Sequence, residues 1–251
     1  MTIIQGEVGR IRMFEDFLGA EIPLALATTV ENLGQFRIGG QNITNAAAGL
    51  VLLDTDGLNG IAELTTGDTN EDTTAIMSAK CFDAGYMGTL VLETRLRLPA
   101  LTAKAVYVGF TDVGGDSVDL ATDVINYSTT VTITITASHL CGFYLSSELV
   151  GYTEDWHAVH KGGTTAVQLT TTDIDLDNVA VEDEFQILRL EVDNNGTARW
   201  YIDGVLLKTL EGAMSTTGDV MAMVAVTENG GDLATMEVDY VMVEANRDWT
   251  V

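Results

Sequence analysis

The chain has 251 residues, of which 46% are hydrophobic. That is enough to bury a core without disulfide staples, and it argues against disorder over most of the length. There are 37 Asp and Glu against 12 Lys and Arg, a formal net charge of −25, so neither nucleic acid nor an anionic membrane surface is expected as a partner.

Thirty-three Thr and 25 Gly against 2 Pro read as strands and turns. No apolar run approaches the roughly 18 residues of a membrane helix. The opening MTIIQGEVGR has no basic region followed by an apolar one, so no export signal is read there and synthesis in a cytoplasm is expected. Cys81 and Cys141 are too few and too far apart for a disulfide framework, and are expected as two buried free thiols.

Residues 1 to 12 hold Arg10 and Arg12 and one acid, Glu7. They read either as an arm leading into a strand around Met13 to Phe17, or as a first edge strand. Short apolar runs follow at Phe36–Ile38, Leu50–Leu53 and Ile61–Leu64, and the acidic stretch 65 to 74 reads as a loop. From Leu90 the alternation is clear. Leu90, Leu92, Thr94, Leu96 and Leu98 fall on one face, and Glu93, Arg95 and Arg97 on the other, before Pro99 stops the ladder. Val106, Val108 and Phe110 form the next inward set. Asp119 to Asn126 could make two helical turns. Val131, Ile133 and Ile135 alternate with threonines.

Further on, Leu188, Leu190 and Val192 point one way and Arg189, Glu191 and Asp193 the other. After a turn at 193 to 196, Ala198, Trp200 and Ile202 face in while Arg199 and Tyr201 face out. Asp203-Gly204 reads as a two-residue hairpin turn, since both positions tolerate positive φ. Strands at 205–210, 220–226 and 236–243 complete the pattern. Many short antiparallel strands without a composition break predict an all-β, antiparallel two-sheet jelly-roll sandwich spanning residues 13–251 behind the arm at 1–12.

Three segments carry a resemblance. Phe185-Gln-Ile-Leu-Arg-Leu-Glu-Val192, Ala198-Arg-Trp-Tyr-Ile-Asp-Gly204 and Met236-Glu-Val-Asp-Tyr-Val-Met-Val243, together with the arginine-bearing strand that ends at Pro99, resemble the concanavalin A-like (LamG-like) jelly-roll superfamily over about residues 85 to 245. The fold serves lectins, glycosidases and structural proteins alike. The opening Met13-Phe-Glu-Asp-Phe-Leu-Gly19 resembles bacteriophage capsid decoration, or cement, proteins of this fold.

Chemistry-bearing constellations are weak. Retaining glycosidases of this fold place Glu-x-Asp-x-Glu on one face of a cleft strand. The nearest match, Glu237-Val-Asp239 with Glu244, lies in the closing strand, and Glu244 has the opposite parity from Glu237. After Pro99 the chain reads Ala-Leu-Thr-Ala-Lys-Ala-Val-Tyr without an acid, so no catalytic residue is assigned. Asp173, Asp175 and Asp177 with Glu184 imitate a calcium loop but have Asn178 where Gly belongs. Asp112, Asp116 and Asp119 around Gly114-Gly115 are an equally weak imitation. His157 and His160, near Asp155, point to opposite faces of a strand and read as ordinary surface histidines. No metal or cofactor is assigned. Trp200 reads as core; Trp156 and Tyr152 read as packed side chains, with sugar stacking the other reading.

The resemblance implies a non-enzymatic virion protein, made in the host cytoplasm and bound to the major capsid protein on the outer capsid surface. Capsid symmetry suggests a homotrimer. Arg10, Arg12, Arg95, Arg97, Arg199 and Tyr201 are the expected partner contacts, since Arg and Tyr favour interfaces; the bland reading pairs these arginines with surplus carboxylates. The alternative function is a carbohydrate-binding, lectin-like module displayed on a virion.

Overall fold

A computed structural model describes residues 9–18, 31–33, 35–43, 50–53, 60–67, 69–230 and 233–247. In chain order the strands are β1 (Arg10–Glu15), β2 (Glu31–Leu33), β3 (Phe36–Gly39), β4 (Leu50–Leu53), β5 (Ala62–Thr65), β6 (Thr73–Met77), β7 (Leu90–Arg97), β8 (Lys104–Thr111), β9 (Ile125–Thr129) and β10 (Thr132–Ile135). They continue as β11 (Leu140–Ser146), β12 (Asp155–Lys161), β13 (Asp175–Val179), β14 (Phe185–Val192), β15 (Ala198–Ile202), β16 (Val205–Leu210), β17 (Met221–Glu228) and β18 (Thr235–Asn246). Two one-turn helices, α1 (Ala84–Met87) and α2 (Thr171–Ile174), and a π-helical turn at Leu120–Val124 complete the described elements.

Sheet A runs β16-β15-β14-β7-β18-β5-β4, with β1 also paired to β18; sheet B runs β13-β12-β11-β8-β17-β6-β3-β2. Every strand pairing among the described residues is antiparallel, so the fold is the expected two-sheet jelly-roll sandwich. Residues 10 to 12 form the start of β1, with Arg10 opposite Asn246 and Arg12 opposite Glu244. Residues 1 to 8 of the expected arm lie outside the described residues.

Sheet A shows why period two was legible. β14 alternates strictly and β7 does so from Leu92 onward: Leu90, Leu92, Thr94, Leu96, Leu188, Leu190 and Val192 are buried between the sheets, while the charged residues between them stay half-exposed. The Asp203-Gly204 turn joins β15 to β16 with φ of 50° and 78°, the left-handed pair that a two-residue hairpin requires. Trp200 is buried in this core and donates Nε1–H to Gly142 O of the other sheet at 2.8 Å.

Sheet B behaves differently. β8, β11 and β17 are buried on both faces. Their inward side chains, among them Val108, Phe143 and Val224, join the inter-sheet core. Their outward side chains, among them Tyr107, Tyr144 and Met223, join a second apolar cluster on the far side of the sheet. Near-continuous apolar runs such as Ala105-Val-Tyr-Val-Gly-Phe110 and Met221-Ala-Met-Val-Ala-Val226 are the sequence signature of such doubly covered strands.

An outer face of paired charges and an outer face that is closed

The outer face of sheet A gathers the predicted contact residues. Arg95 Nη1 lies 2.6 Å from Asp239 Oδ2. Arg97 Nε donates to Glu237 Oε2 at 2.7 Å, and its Nη1 reaches Asp183 at 3.2 Å. Arg199 Nη2 meets Asp193 Oδ2 at 2.6 Å, which holds the Asp193 carboxyl below its ordinary range. Arg12 Nε sits 3.1 Å from Glu244 Oε1. Tyr201 O–H points at Glu191 Oε2, 3.3 Å away. Arg10 starts β1 at the rim and is exposed.

Residues outside the predicted set complete the pattern. Arg189 bridges Glu93 and Glu191 at 2.9 and 2.8 Å, and Tyr240 O–H donates to Glu93 Oε1 at 2.9 Å. Phe185 carries Arg95 over its ring at 4.0 Å and Arg97 at 5.0 Å. Arg189 was readable as outward-facing from the alternation of β14. The placement of Phe185 and Tyr240 depends on which strands neighbour β7, which alternation does not encode.

One register shift rearranges the acids. β18 carries a bulge at Asp239, between the pairs Val238↔Leu96 and Tyr240↔Arg95. The extra residue inverts the parity after it. Glu244 therefore shares the outer face with Glu237, contrary to the parity expected for an unbroken strand. These acids meet arginines there, Glu237 with Arg97 and Glu244 with Arg12.

The outer face of sheet B is closed by the chain itself. The strand after Pro99, β8, turns Ala105, Tyr107, Gly109 and Thr111 outward; its neighbour β11 turns out Leu140, Gly142, Tyr144 and Ser146. None is an acid. Gly109 and Gly142 face one another, and a Cβ on either would come within 3 Å of the Tyr107 side chain. Tyr107 lies across that gap and donates its O–H to Phe110 O at 2.8 Å. Over this surface fold the π-helical turn and the β9–β10 hairpin, burying Leu120, Val124, Ile125, Ile133 and Ile135. Ile133 N donates to Leu169 O at 2.9 Å and Lys161 Nζ to Ile135 O at 2.6 Å, which fixes the hairpin to the body. At about 1.5–3 kcal/mol for each buried large aliphatic side chain, lifting this cover costs as much as unfolding a typical domain. It is part of the core.

Three side-chain expectations are corrected here. His157 and His160 do point to opposite faces, but both are fully buried, because both faces of β12 are covered. Burial pushes both imidazoles below their ordinary pKa. Cys141 is buried as expected, whereas Cys81 is exposed, because it follows the end of β6 outside any sheet. Val131 is exposed in the turn at the tip of the β9–β10 hairpin and lies outside the strand that holds Ile133 and Ile135. Trp156 is fully buried, donating Nε1–H to Gln186 Oε1 at 3.0 Å, and Tyr152 packs against the second cluster. Among the described residues, no three His, Cys, Asp or Glu side chains are placed to hold a metal ion.

No protein-family model matches the chain, and no characterised protein matches it in sequence. Solved structures do. The chain is similar to a glycoside hydrolase family 16 endo-glucanase from Bacteroides ovatus, at 14% identity and a TM-score of 0.56 over 92% of this chain and 99% of that one. It is similar to a β-glucanase from Bacillus licheniformis, at 14% identity and 0.54 over 92% and 97%. It is also similar to the Emp47p carbohydrate recognition domain, at 11% identity and 0.55 over 88% and 98%. The chain has the concanavalin A-like jelly-roll fold. The likeness at this identity concerns the fold alone, and the resemblance to capsid decoration proteins rests on the sequence motif at 13–19.

Proposed function

We propose that the chain is a non-enzymatic binding and structural module, and that its partner meets the outer face of sheet A. The observation that carries this reading is the contrast between the two outer faces. On sheet B the strands where a glycan cleft would be floored bear no acid and are sealed under the β9–β10 hairpin. On sheet A a flat lattice of Arg, Tyr and carboxylate stays half-exposed. Arg in such a lattice offers a planar fork of donors to a neighbour, and Tyr a single hydroxyl on a flat ring, at modest loss of side-chain freedom because their partners already hold them in place.

The partner named by the sequence resemblance is the major capsid protein of a phage head, with this chain bound to the shell exterior as a decoration protein. The test is co-sedimentation with purified expanded phage heads. Arg95→Glu combined with Arg199→Glu is expected to abolish binding while leaving the fold intact. Undiminished binding by the double variant removes this face from the proposal.

The likeness to a carbohydrate recognition domain favours a second reading, a lectin-like module. Micromolar binding on a glycan array, retained after the same double substitution, would select it.

A further inference from the structure

One row of side chains runs unbroken across four neighbouring strands of sheet A, β18, β7, β14 and β15. Tyr240 O–H meets Glu93 Oε1 at 2.9 Å, and Arg189 Nη1 meets the other oxygen of the same carboxylate at 2.9 Å. On its far edge Arg189 directs Nε and Nη2 to Glu191 Oε1 at 2.9 and 2.8 Å, and Tyr201 O–H points at Glu191 Oε2 from 3.3 Å. Two features of the backbone build the row. Glu93, Arg189 and Tyr201 are direct cross-strand partners, so their side chains leave the sheet on the same face. Tyr240 joins them only because of the bulge at Asp239; in an unbroken strand it would point inward with Val238.

The direction of each hydrogen bond follows from the groups. A carboxylate accepts and a guanidinium donates, so both tyrosines spend their one hydroxyl proton on the glutamates. Burial, reinforced by the neighbouring glutamate, raises both phenols above their ordinary range, so that proton stays in place. What each half-exposed hydroxyl can still offer a neighbour is a lone pair. Arg189 turns all three of its nitrogens to these carboxylates, at 32% side-chain exposure. Among the described residues it is the only cation in an ion pair with Glu93 or Glu191.

We infer that Arg189 is the positioning residue of the partner surface. It fixes Glu93 and Glu191, and through them sets the Tyr201 and Tyr240 hydroxyls as two acceptors for N–H or O–H donors of the partner. The inference rests on the reading that the partner meets the outer face of sheet A, and it says what that partner carries there: two hydrogen-bond donors three strand spacings apart across the sheet, about 14 Å. The fork matters beyond its charge, because one planar guanidinium reaches two carboxylates from different edges at once. A lysine would supply the charge from a single point on a flexible stem, without fixing both carboxylate planes. Ordering these five groups before contact leaves less side-chain freedom to lose on binding.

Co-sedimentation of the full chain with purified expanded phage heads, run beside the Arg95→Glu and Arg199→Glu double variant, tests it. Arg189→Lys is expected to keep the wild-type melting temperature, since it keeps a countercharge between the acids, yet to raise the concentration for half-saturation about tenfold. Tyr201→Phe and Tyr240→Phe keep their rings and are each expected to raise it about fivefold, the worth of one hydrogen bond. Adding Tyr201→Phe to Arg189→Lys is expected to cost less than Tyr201→Phe costs alone, because the lysine variant has already released that hydroxyl. Wild-type binding by Arg189→Lys or by both phenylalanine variants, or full additivity of the paired changes, overturns the inference; a double arginine variant that still fails to bind then leaves the reading of the face standing. A wild type that does not sediment with heads, or a double arginine variant that sediments like it, removes that reading and this inference with it.

Discussion

Arg97 and Glu237 face each other across β7 and β18, with Nε 2.7 Å from Oε2, at a point where the glutamate side chain is only 9% exposed. The arginine is held from two further sides, by Asp183 and by the Phe185 ring. Glu237 belongs to the segment that most resembles a paired-carboxylate motif, and its position beside a guanidinium gives it a structural task. Glu237→Gln keeps a hydrogen bond but leaves a half-buried cation with less countercharge. A loss of about 1–2 kcal/mol is expected, read as a lower urea midpoint at constant slope. Neither the wild type nor this variant is expected to release reducing sugar from a β-glucan.

The Asp203-Gly204 hairpin gives a cleaner backbone test. A Cβ on Gly204 would meet no atom within 4 Å, so a substitution there costs only conformational strain at φ 78°. Gly204→Val is expected to destabilise by about 1–3 kcal/mol, and Gly204→Asn by less, since Asn tolerates the left-handed region. Equal melting temperatures for the two variants would contradict this assignment.

The buried histidines predict a pH dependence with a definite sign. Burial lowers the folded-state pKa of His157 and His160 below the ordinary imidazole value of 6.5. The unfolded chain therefore takes up protons first as pH falls. Stability is full above about pH 7 and is lost as pH drops through 6.5 toward the folded values, by at most about 1.4 kcal/mol per pH unit for each histidine. Urea unfolding between pH 8 and 5.5 reads this slope. His160→Gln is expected to reduce it.

The hairpin cover over sheet B is expected to behave as core. Ile133 is 2% exposed beneath it. Ile133→Ala should cost about 2–4 kcal/mol, and the Ile133 amide, bonded to Leu169 O, should exchange with solvent only through global unfolding. Rapid exchange of that amide in the native protein would show the cover to be a flap.

The two thiols should separate by reactivity. An aromatic disulfide reagent is expected to titrate one thiol, Cys81, in the native protein and both in denaturant. Cys141 is fully buried and its pKa is pushed far upward by desolvation. Two fast thiols under native conditions would contradict the packing around β11.

The sequence by itself determined the class of fold, and the reason is periodicity. Where one face of a strand meets water, as in β7, β14 and β15, alternation is written directly into the residue order, and the Asp203-Gly204 turn is written in the φ preferences of its two residues. Exposure of Arg95, Arg97 and Arg199 was legible in the same way. Their partners were not, because neighbouring strands come from positions far apart in the chain: Arg95 meets Asp239, 144 residues on, and Arg189 meets Glu93, 96 residues back. The tertiary structure alone decided that β8, β11 and β17 are covered twice, that His157 and His160 are buried, and that one extra residue in β18 moves Glu244 to the face of Glu237. Each of these depends on what packs against a strand from elsewhere in the chain, and local sequence carries no record of that.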